Sequence, residues 1–552
     1  MSALCSSGWR WLLLNQETSG DGKIVAEADI ALGALQPHYP VVVAGAGPVG
    51  LALAAEFGLA GVSCLLAEKR DGTIHVPKMS LVCAGTMEVS RRWGIAKDVR
   101  RAVWAENRAM DFLYIESLKG REFARVKLPS YTESPPPWTP EGICHCPQIY
   151  FDPILSKCVA GMHSVTRRNN LGIESFTDDG DRVRVTVRDS NTGESREITA
   201  DYLAGCDGPG GIVRESLGIE LDGKGRIANS TNIFFRSPEL SKLHDKGWGR
   251  IYRVIDETGC WGELIPIDGD VLWRLTVFDD PQYVEDPDKA LRHMMGADFP
   301  YEILSTLPWE RRDFVAQSYG RGRVYIAGDA AHQSSPTGGV GMHTGVEDAV
   351  NLAWKLTAMV EGWGGPRLLE TYEAERKPVA QRNVDLSTST FEAIRRIPGS
   401  AGQERRTTGD WRDDMDPLYI PDIVRSRYCY KGSQIIAAPD GDEVSPKAGR
   451  TPGRPGWRAP HEWIGDGRST LDLFGSGFVL LRLGPDAPDA APLESAARER
   501  GVPLTLVTVS DEKAAAAFEK PLVLVRPDRH IAWHGDACPD APQQIIDLVR
   551  GA

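Results

Sequence analysis

The stretch "YPVVVAGAGPVGLALAAEFGLAGVSCLLAEKR", Tyr39 to Arg70, constrains the fold more than any other part of the chain. Val41 to Val43 are β-branched and uninterrupted, the pattern of a strand buried on both faces. Gly45-Ala46-Gly47-Pro48-Val49-Gly50 follows, and then Leu51 to Ala60 is apolar and alanine-rich, suited to a helix lying close on a sheet. Val62 to Ala67 reads as a second strand that ends at Glu68 and Lys69. In such a strand–turn–helix–strand unit the first glycine permits the tight turn and the second lets the backbone approach a pyrophosphate. The third lets the helix pack on the strand, with its N-terminus facing the phosphates. A carboxylate at Glu68 can accept ribose hydroxyls. The unit predicts a Rossmann-like dinucleotide site and does not separate FAD from NAD.

A second glycine-rich stretch, "RVYIAGDAAHQSSPTGGVGMH", runs from Arg323 to His343. A metal site there needs ligands beside His332 and His343, and only Asp329 is near, so no metal is expected. A Walker-type loop needs Gly-Lys-Ser/Thr, which is missing. A hairpin needs a second strand, yet Val346, Ala349, Val350, Ala353 and Leu356 fall at helical spacing. Thr344 and Glu347 have the spacing of a capping box. The stretch therefore predicts a strand ending at Gly328-Asp329, a glycine-rich loop, and a capped helix from about 344 to 361. The helix N-terminus can stabilise negative charge on a ligand lying against the loop.

At 552 residues the chain has room for two to four domains. Residues 39–395 read as one dinucleotide-binding domain with a second, strand-rich domain interleaved at about 106–145 and 220–315. That insert carries Trp248, Tyr252, Trp261, Trp273 and Phe278, and a helix is expected at 148 to 160. Residues 1–38 read as an extension with no assigned role, and 396–455 as a polar, then Pro- and Gly-rich, linker region. From 456 to 552, "GFVLLRL", "PLTLVTV", "PLVLVRP" and "HIAWHG" are strands and "PQQIIDLVRG" a closing helix, a small α/β domain of its own. The net charge of -13 argues against nucleic acid or an anionic membrane as partner. No apolar run reaches membrane-spanning length, and the apolar run near the N-terminus is too short for a signal peptide. The ten cysteines contain no C-x-x-C, and Cys144-His145-Cys146 lacks a second half at zinc spacing. A reducing, cytoplasmic setting is the expectation.

"GAGPVG", "CDGPGG" (206 to 211) and "GDAAHQSSPTGGVGMHTGVEDAVNLAWKL" together resemble the three flavin motifs of the FAD-dependent aromatic hydroxylases. That family includes p-hydroxybenzoate hydroxylase and its phenol, chlorophenol and polyketide hydroxylase relatives. The resemblance covers roughly 39 to 395, and 450 to 552 resembles the thioredoxin-like C-terminal domain of the longer members. It implies a mixed-sheet substrate domain interleaved with the Rossmann-like one, and FAD bound by Gly45, Gly47, Pro48, Val49, Gly50, Glu68 and Lys69. It further implies that Asp329 takes the ribityl chain, that Gly328 before it also contacts the cofactor, and that Pro336 faces flavin and substrate. Gly341, Met342 and His343 would present backbone N–H groups to the flavin N1/C2 carbonyl. Asp207, Gln148 and Lys78 would also contact cofactor. Three positions depart from the family pattern: His343 stands for the usual Asn, Gly211 for a usual Ser, and Gly85 where many relatives have Arg.

The implied activity is a monooxygenase that takes electrons from NADH or NADPH, bound transiently because no second G-x-G-x-x-G unit is visible. It would hydroxylate a small phenolic substrate with O₂ through a flavin C4a-hydroperoxide. Alternatives are Baeyer–Villiger insertion or a flavoprotein oxidoreductase that is not an oxygenase. Pro336, His343 and Tyr252 are the candidate catalytic residues, and Trp261 a second pocket candidate. Arg253 and Arg274 read either as surface charges or as groups that orient a phenolate. Monomer and homodimer are both compatible with the chain.

Overall fold

In the computed structural model, which describes residues 30–74, 76–103, 108–127, 135–403, 427–437, 451–465 and 467–552, the first strand is longer than its valine run. β1 (His38–Ala44) enters the glycine turn and α1 (Pro48–Ala60) leaves it, ending at Gly61, whose φ of 73° supplies a left-handed cap. β2 (Cys64–Ala67), α2 (Ala84–Arg92), β3 (Phe112–Ile115), β4 (Glu122–Val126) and α3 (Gln148–Ala160) follow. Then come β5 (Val165–Arg168), β6 (Leu171–Asp178), β7 (Val183–Asp189), β8 (Ser195–Gly205), β9 (Leu221–Arg236), β10 (Ile251–Ile255), β11 (Cys260–Pro266) and β12 (Leu272–Phe278). α4 (Pro287–Met295), β13 (Glu302–Ala316), β14 (Val324–Ile326), β15 (His332–Gln333), α5 (Gly341–Val360) and α6 (Glu370–Arg395) complete the first 403 residues.

These strands form two large sheets. In the first, β14, β8, β1, β2 and β5 lie side by side and parallel, with Val42 opposite Leu203 on one side and Leu65 on the other. The buried strands Val41–Val43 and Cys64–Ala67 carry no polar side chain because helices cover the sheet. The second sheet has the order β15–β13–β9–β12–β11–β10–β3–β4, antiparallel except where β10 meets β3. Its strands come from both interleaved segments, so the two sheets are built from one continuous chain that crosses between them.

The C-terminal unit contains β16 (Phe478–Leu483), α7 (Ala491–Glu499), β17 (Leu504–Val509), β18 (Leu522–Val525), β19 (Ile531–Gly535) and α8 (Pro542–Val549). Its order β17–β16–β18–β19, with only the first pair parallel, is thioredoxin-like. Phe478, Leu480, Leu522 and Leu524 pack on α7 and α8, and Trp354 and Trp363 join the same cluster, so this unit docks on α5. Among the described residues no helix is long and apolar enough to cross a membrane.

Two sequence expectations need correction. α5 starts at Gly341, earlier than the predicted capped start, and its N-cap is Val340 with no side-chain cap. Gly338 and Gly339, at φ of 84° and 64°, turn the chain into the helix sooner. The Thr344 hydroxyl then donates back to the Val340 carbonyl, and Glu347 accepts from Tyr428. Within the stretch read as a linker, Tyr428, Tyr430 and Ile436 are buried against Val379 of α6, and both tyrosine hydroxyls accept from Arg376. Residues 1–29 of the predicted extension, and 404–426 and 438–450 of the linker region, lie outside the described residues.

Candidate functional site

The three glycines of the first turn serve different physical ends. A Cβ on Gly45 would stand 2.6 Å from the Cys206 carbonyl oxygen, and one on Gly50 would stand 1.9 Å from the Gly45 carbonyl oxygen. Those two glycines let β1, β8 and α1 touch. A Cβ on Gly47 would meet nothing within 4 Å, so this glycine leaves the approach to the α1 N-terminus clear. Glu68 is pinned beside the turn, its Oε2 accepting from the Ala46 N–H at 2.8 Å and its Oε1 from the Arg70 N–H at 2.9 Å. Lys69 next to it is exposed.

Val49 joins this turn to the second glycine-rich stretch. A Cβ on Gly345 would be 2.6 Å from Val49 Cγ2 and 3.0 Å from Gly328 Cα, while one on Gly328 would be 2.8 Å from Val49 Cγ2. Only glycines permit α1, the turn at Gly328 and α5 to meet this closely. The contact brings Asp329 and the first turn of α5 to the mouth that Gly47 keeps clear. Gly341 and Met342 are in that first turn, where N–H groups have no intrahelical acceptor.

Asp329 is exposed and has no hydrogen-bond partner among the described residues, yet surrounding protein raises its carboxyl pKa by desolvation. Those two facts describe a carboxylate on the floor of a cleft. Asp207 reaches the same region: its Oδ2 accepts from the Val213 N–H at 3.1 Å, and its Oδ1 is buried with no partner. Burial raises this carboxyl pKa also. A Cβ on Gly211 would stand 2.0 Å from Asp207 Oδ1, so the departure from serine follows from how Asp207 folds over its turn. Two helix N-termini, an unpartnered carboxylate, an orphaned carboxylate oxygen and a clear approach at Gly47 fit a diphosphate joined to a polyhydroxylated chain. The residues present therefore fit FAD.

The opposite rim carries Lys78, which is exposed, and Gln148 at the start of α3. Gln148 Nε2 donates to Asp152 Oδ2 at 2.9 Å, and Asp152 Oδ1 is buried without a partner. Burial pushes the Asp152 carboxyl up to about 7 against the opposing Gln148 hydrogen bond and the nearby Lys78 charge. The native state then holds a proton that the unfolded chain releases near pH 4, so stability falls as pH rises from about 4 to about 7. Asp152→Asn keeps the acceptor for Gln148 and removes the titration. The native protein should lose stability between pH 5 and 7 relative to the variant, by about 2 kcal/mol, and its unfolding midpoint should decline accordingly. Parallel midpoints for the two proteins would show that Asp152 is ionised throughout.

Strand parity decides which side chains of the second sheet face this cleft. Phe112 and Tyr114 of β3, Arg253 of β10, Glu263 of β11, Arg274 and Phe278 of β12 and Phe234 of β9 share one face, which packs on α6 through Phe391. Tyr252 and Trp261 project from the other face into a separate core with Trp273, Tyr283 and α4, which corrects the expectation that they line a pocket. The Tyr252 hydroxyl is also engaged, donating to the Gly247 carbonyl at 2.6 Å and accepting from the Gly249 N–H at 2.8 Å. Arg253 and Arg274 are buried, not surface charges. Arg253 bonds Glu263 at 2.9 Å and the Tyr114 hydroxyl at 2.5 Å, and Arg274 Nη1 donates to the Pro77 and Lys78 carbonyls at 2.7 and 3.0 Å.

The His343 side chain is a correction as well. It is buried, with Nδ1 2.9 Å from Thr86 Oγ1 of α2 and Nε2 3.4 Å from Glu347 Oε1, so it ties α5 to α2 and only its backbone is at the mouth. His332 pairs with Asp348 at 2.6 Å, and among the described residues no group of His, Cys, Asp and Glu could hold a metal ion. Pro336 is exposed on the loop between β15 and α5. Asp152 and Arg311 are residues that motif reading passed over; Arg311 has a legible signal, since it shares its strand face with residues of the cleft.

Two family descriptions match the chain: "FAD binding domain" over residues 38–387 and "Aromatic-ring hydroxylase, C-terminal" over 452–550. A putative polyketide hydroxylase of Streptomyces halstedii is 34% identical over 545 residues, covering 92% of this chain and 95% of that protein. Aklavinone 12-hydroxylase RdmE of Streptomyces purpurascens is 32% identical, covering 92% and 98%. Among solved structures, the rebeccamycin biosynthetic enzyme RebC with reduced flavin superimposes with a TM-score of 0.84 at 35% identity, covering 94% of this chain and all of that one. A ternary complex of aklavinone-11 hydroxylase with FAD and aklavinone gives 0.79 at 29% identity, with 94% and 100% covered.

Proposed function

This chain belongs to the FAD-dependent aromatic-ring hydroxylases, and from that premise we propose which of its residues perform the reaction and on what substrate. The overall reaction is Ar–H + NAD(P)H + H⁺ + O₂ → Ar–OH + NAD(P)⁺ + H₂O. Bound FAD supplies electron acceptance from the nicotinamide and activation of O₂. The protein supplies position, charge and exclusion of water.

Gly47 and the α1 N-terminus take the pyrophosphate, with Pro48, Val49 and Gly50 shaping the turn. Glu68, with Lys69 beside it, receives the adenosine ribose. Asp329 and Gly328 take the ribityl chain, and Asp207 lends its orphaned oxygen to the cofactor. Gly341, Met342 and His343 give the α5 backbone dipole to the flavin pyrimidine, where negative charge accumulates on reduction. Lys78 and Gln148 close the other rim, and Pro336 stands between flavin and substrate. The observation that carries this assignment is the Val49–Gly328–Gly345 contact, which aims both helix N-termini and Asp329 at one cleft.

The substrate is a polycyclic phenol of the polyketide kind. A relative named as a putative polyketide hydroxylase covers 92% of this chain, and the face of the second sheet whose Arg274 reaches the Lys78 rim is rich in aromatic rings, Phe112, Tyr114, Phe234 and Phe278. The test is a panel of monocyclic and polycyclic phenols given to the FAD-loaded protein with NADH or NADPH in air. Polycyclic phenols should accelerate nicotinamide oxidation by about tenfold or more, through closure of the site on a bound substrate. The product should be heavier by one oxygen atom. If no phenol accelerates oxidation, the reading is wrong; if only monocyclic phenols do, the substrate class is.

A further inference from the structure

We infer that Arg311 is a positioning residue for the hydroxylation: from the substrate sheet it fixes the loop that carries Pro336, and so sets the distance between substrate and flavin. The inference rests on the reading above that this loop borders both. Arg311 lies on β13 and is only 2% exposed. Its Nε donates to Ser230 Oγ of the neighbouring strand β9 at 2.8 Å. Its Nη1 donates to Ser335 Oγ at 2.9 Å and to Thr337 Oγ1 at 3.2 Å, the residues on either side of Pro336.

That guanidinium is spent on hydroxyls and rings. Among the described residues no carboxylate pairs with it, and its remaining neighbours are ring faces: Phe391 at 4.2 Å, Trp309 at 4.8 Å and Phe278 at 5.0 Å. Burial, opposed only by the more distant Glu263 carboxylate and helped by the Arg274 and Arg395 charges, presses its pKa down to about 10. Burying such a charge is costly where no carboxylate is in direct contact to offset it. A methionine would fill the same space without that cost. What the guanidinium offers is a rigid fork of donors that can hold a sheet strand and a loop at once.

The loop is gripped from its other side too. Ser387 of α6 donates its hydroxyl to the Ser335 carbonyl and, at 2.9 Å, to the Thr337 carbonyl. Side chains of the loop are therefore held by β13 and its backbone by α6. Pro336 is left as the exposed residue between two anchored neighbours. The same sheet face repeats the device on the opposite rim, where Arg274, likewise buried and without a carboxylate partner among the described residues, holds the Pro77 and Lys78 carbonyls. Two buried arginines thus tie the substrate sheet to the two rims of the flavin cleft.

Loss of the Arg311 fork should leave FAD bound and nicotinamide oxidised while the oxygen transfer goes astray. The unproductive course is NAD(P)H + H⁺ + O₂ → NAD(P)⁺ + H₂O₂. In Arg311→Met, Arg311→Lys and the double variant Ser335→Ala/Thr337→Val, FAD content and the visible flavin spectrum should match the native protein. The fraction of NAD(P)H recovered as hydroxylated product should fall on the order of tenfold, with peroxide making up the balance and KM for the phenol changing far less than kcat. Arg311→Lys should not rescue, because an ammonium keeps the charge but not the fork. Native coupling in Arg311→Met or in the double variant overturns the inference. If Arg311→Met fails to fold, the double variant, which removes only two hydroxyls, decides it alone. A native protein that no phenol stimulates would instead overturn the functional reading, and is seen before any variant is made.

Discussion

Alanine at Gly47 should abolish flavin retention in a chain that still folds, whereas alanine at Gly50 should stop the first strand–helix unit from closing. At Gly47 the backbone is extended, with φ of -70° and ψ of -179°, which any residue adopts, and a Cβ meets nothing within 4 Å. The methyl group would stand where the pyrophosphate approaches the α1 amides. Flavin affinity should fall at least about a hundredfold, or about 2.7 kcal/mol, with secondary structure by circular dichroism unchanged. At Gly50 the methyl would sit 1.9 Å from the Gly45 carbonyl oxygen, on a turn that also touches Cys206. α1 would have to lift off β1 and expose the core around Val41 to Val43, so soluble yield should collapse. Native flavin affinity in Gly47→Ala, measured by fluorescence titration, would remove this turn as the pyrophosphate seat.

That contrast shows what a sequence motif contains and what it omits. The strand–turn–helix–strand unit was legible because long apolar runs and punctuating glycines carry their own periodicity. The four thioredoxin-like strands were legible for the same reason. Tyr252 and Trp261 were misplaced because aromatic content says nothing about which face a strand turns to the cleft. Arg253, next to Tyr252, and Arg274, next to Trp273, were on that face. The Thr344–Glu347 spacing failed because a threonine hydroxyl can equally satisfy the carbonyl four residues back, and two glycines upstream had already started the helix. His343 looked like a departure beside the flavin, but its ring is spent on Thr86 and Glu347, which a chain reading cannot connect. Arg311 and Asp152 belong to no motif: Arg311 meets Ser230, Ser335 and Thr337 from another strand and a distant loop, and Asp152 owes its raised pKa to burial that the spacing to Gln148 does not reveal.

Replacing Arg526 by methionine is expected to be the most destabilising single change outside the flavin turn, although Arg526 lies in the C-terminal unit. Its Nη1 and Nη2 grip Glu375 of α6 at 2.6 and 2.8 Å, and its Nε donates to Asp528 at 3.0 Å. Lys355 and Asn351 of α5 reach the same Glu375 carboxylate, each at 2.7 Å. All four charged groups are buried, and two cations balance two anions. Without Arg526 two carboxylates share one lysine in a dry interface, which costs about 3–5 kcal/mol. The unfolding midpoint should drop by roughly 5 to 10 °C. Amide exchange should quicken first in β18 and β19. The adjacent Arg376 holds Asp348 at 2.8 Å and the Thr344 carbonyl at 3.1 Å, and Asp348 accepts from the Gly328 N–H at 3.2 Å. The loosened interface is thus one residue from the anchor of α5, and on the proposed cofactor assignment FAD should dissociate faster as well. pH supplies an independent check. Burial, opposed by Glu375 and reinforced by Arg526, presses the Lys355 ammonium down to about 8. Between about 8 and about 10 the native chain then binds fewer protons than the unfolded one, so its stability rises with pH in that window. Arg526→Met removes the repulsion and leaves Lys355 as sole counter-ion, so the rise should shrink or vanish. An unchanged midpoint and an unchanged alkaline rise would mean that the C-terminal unit is held by its other contacts, the Trp354 and Trp363 packing and the Arg458–Glu88 and Arg91–Asp472 pairs.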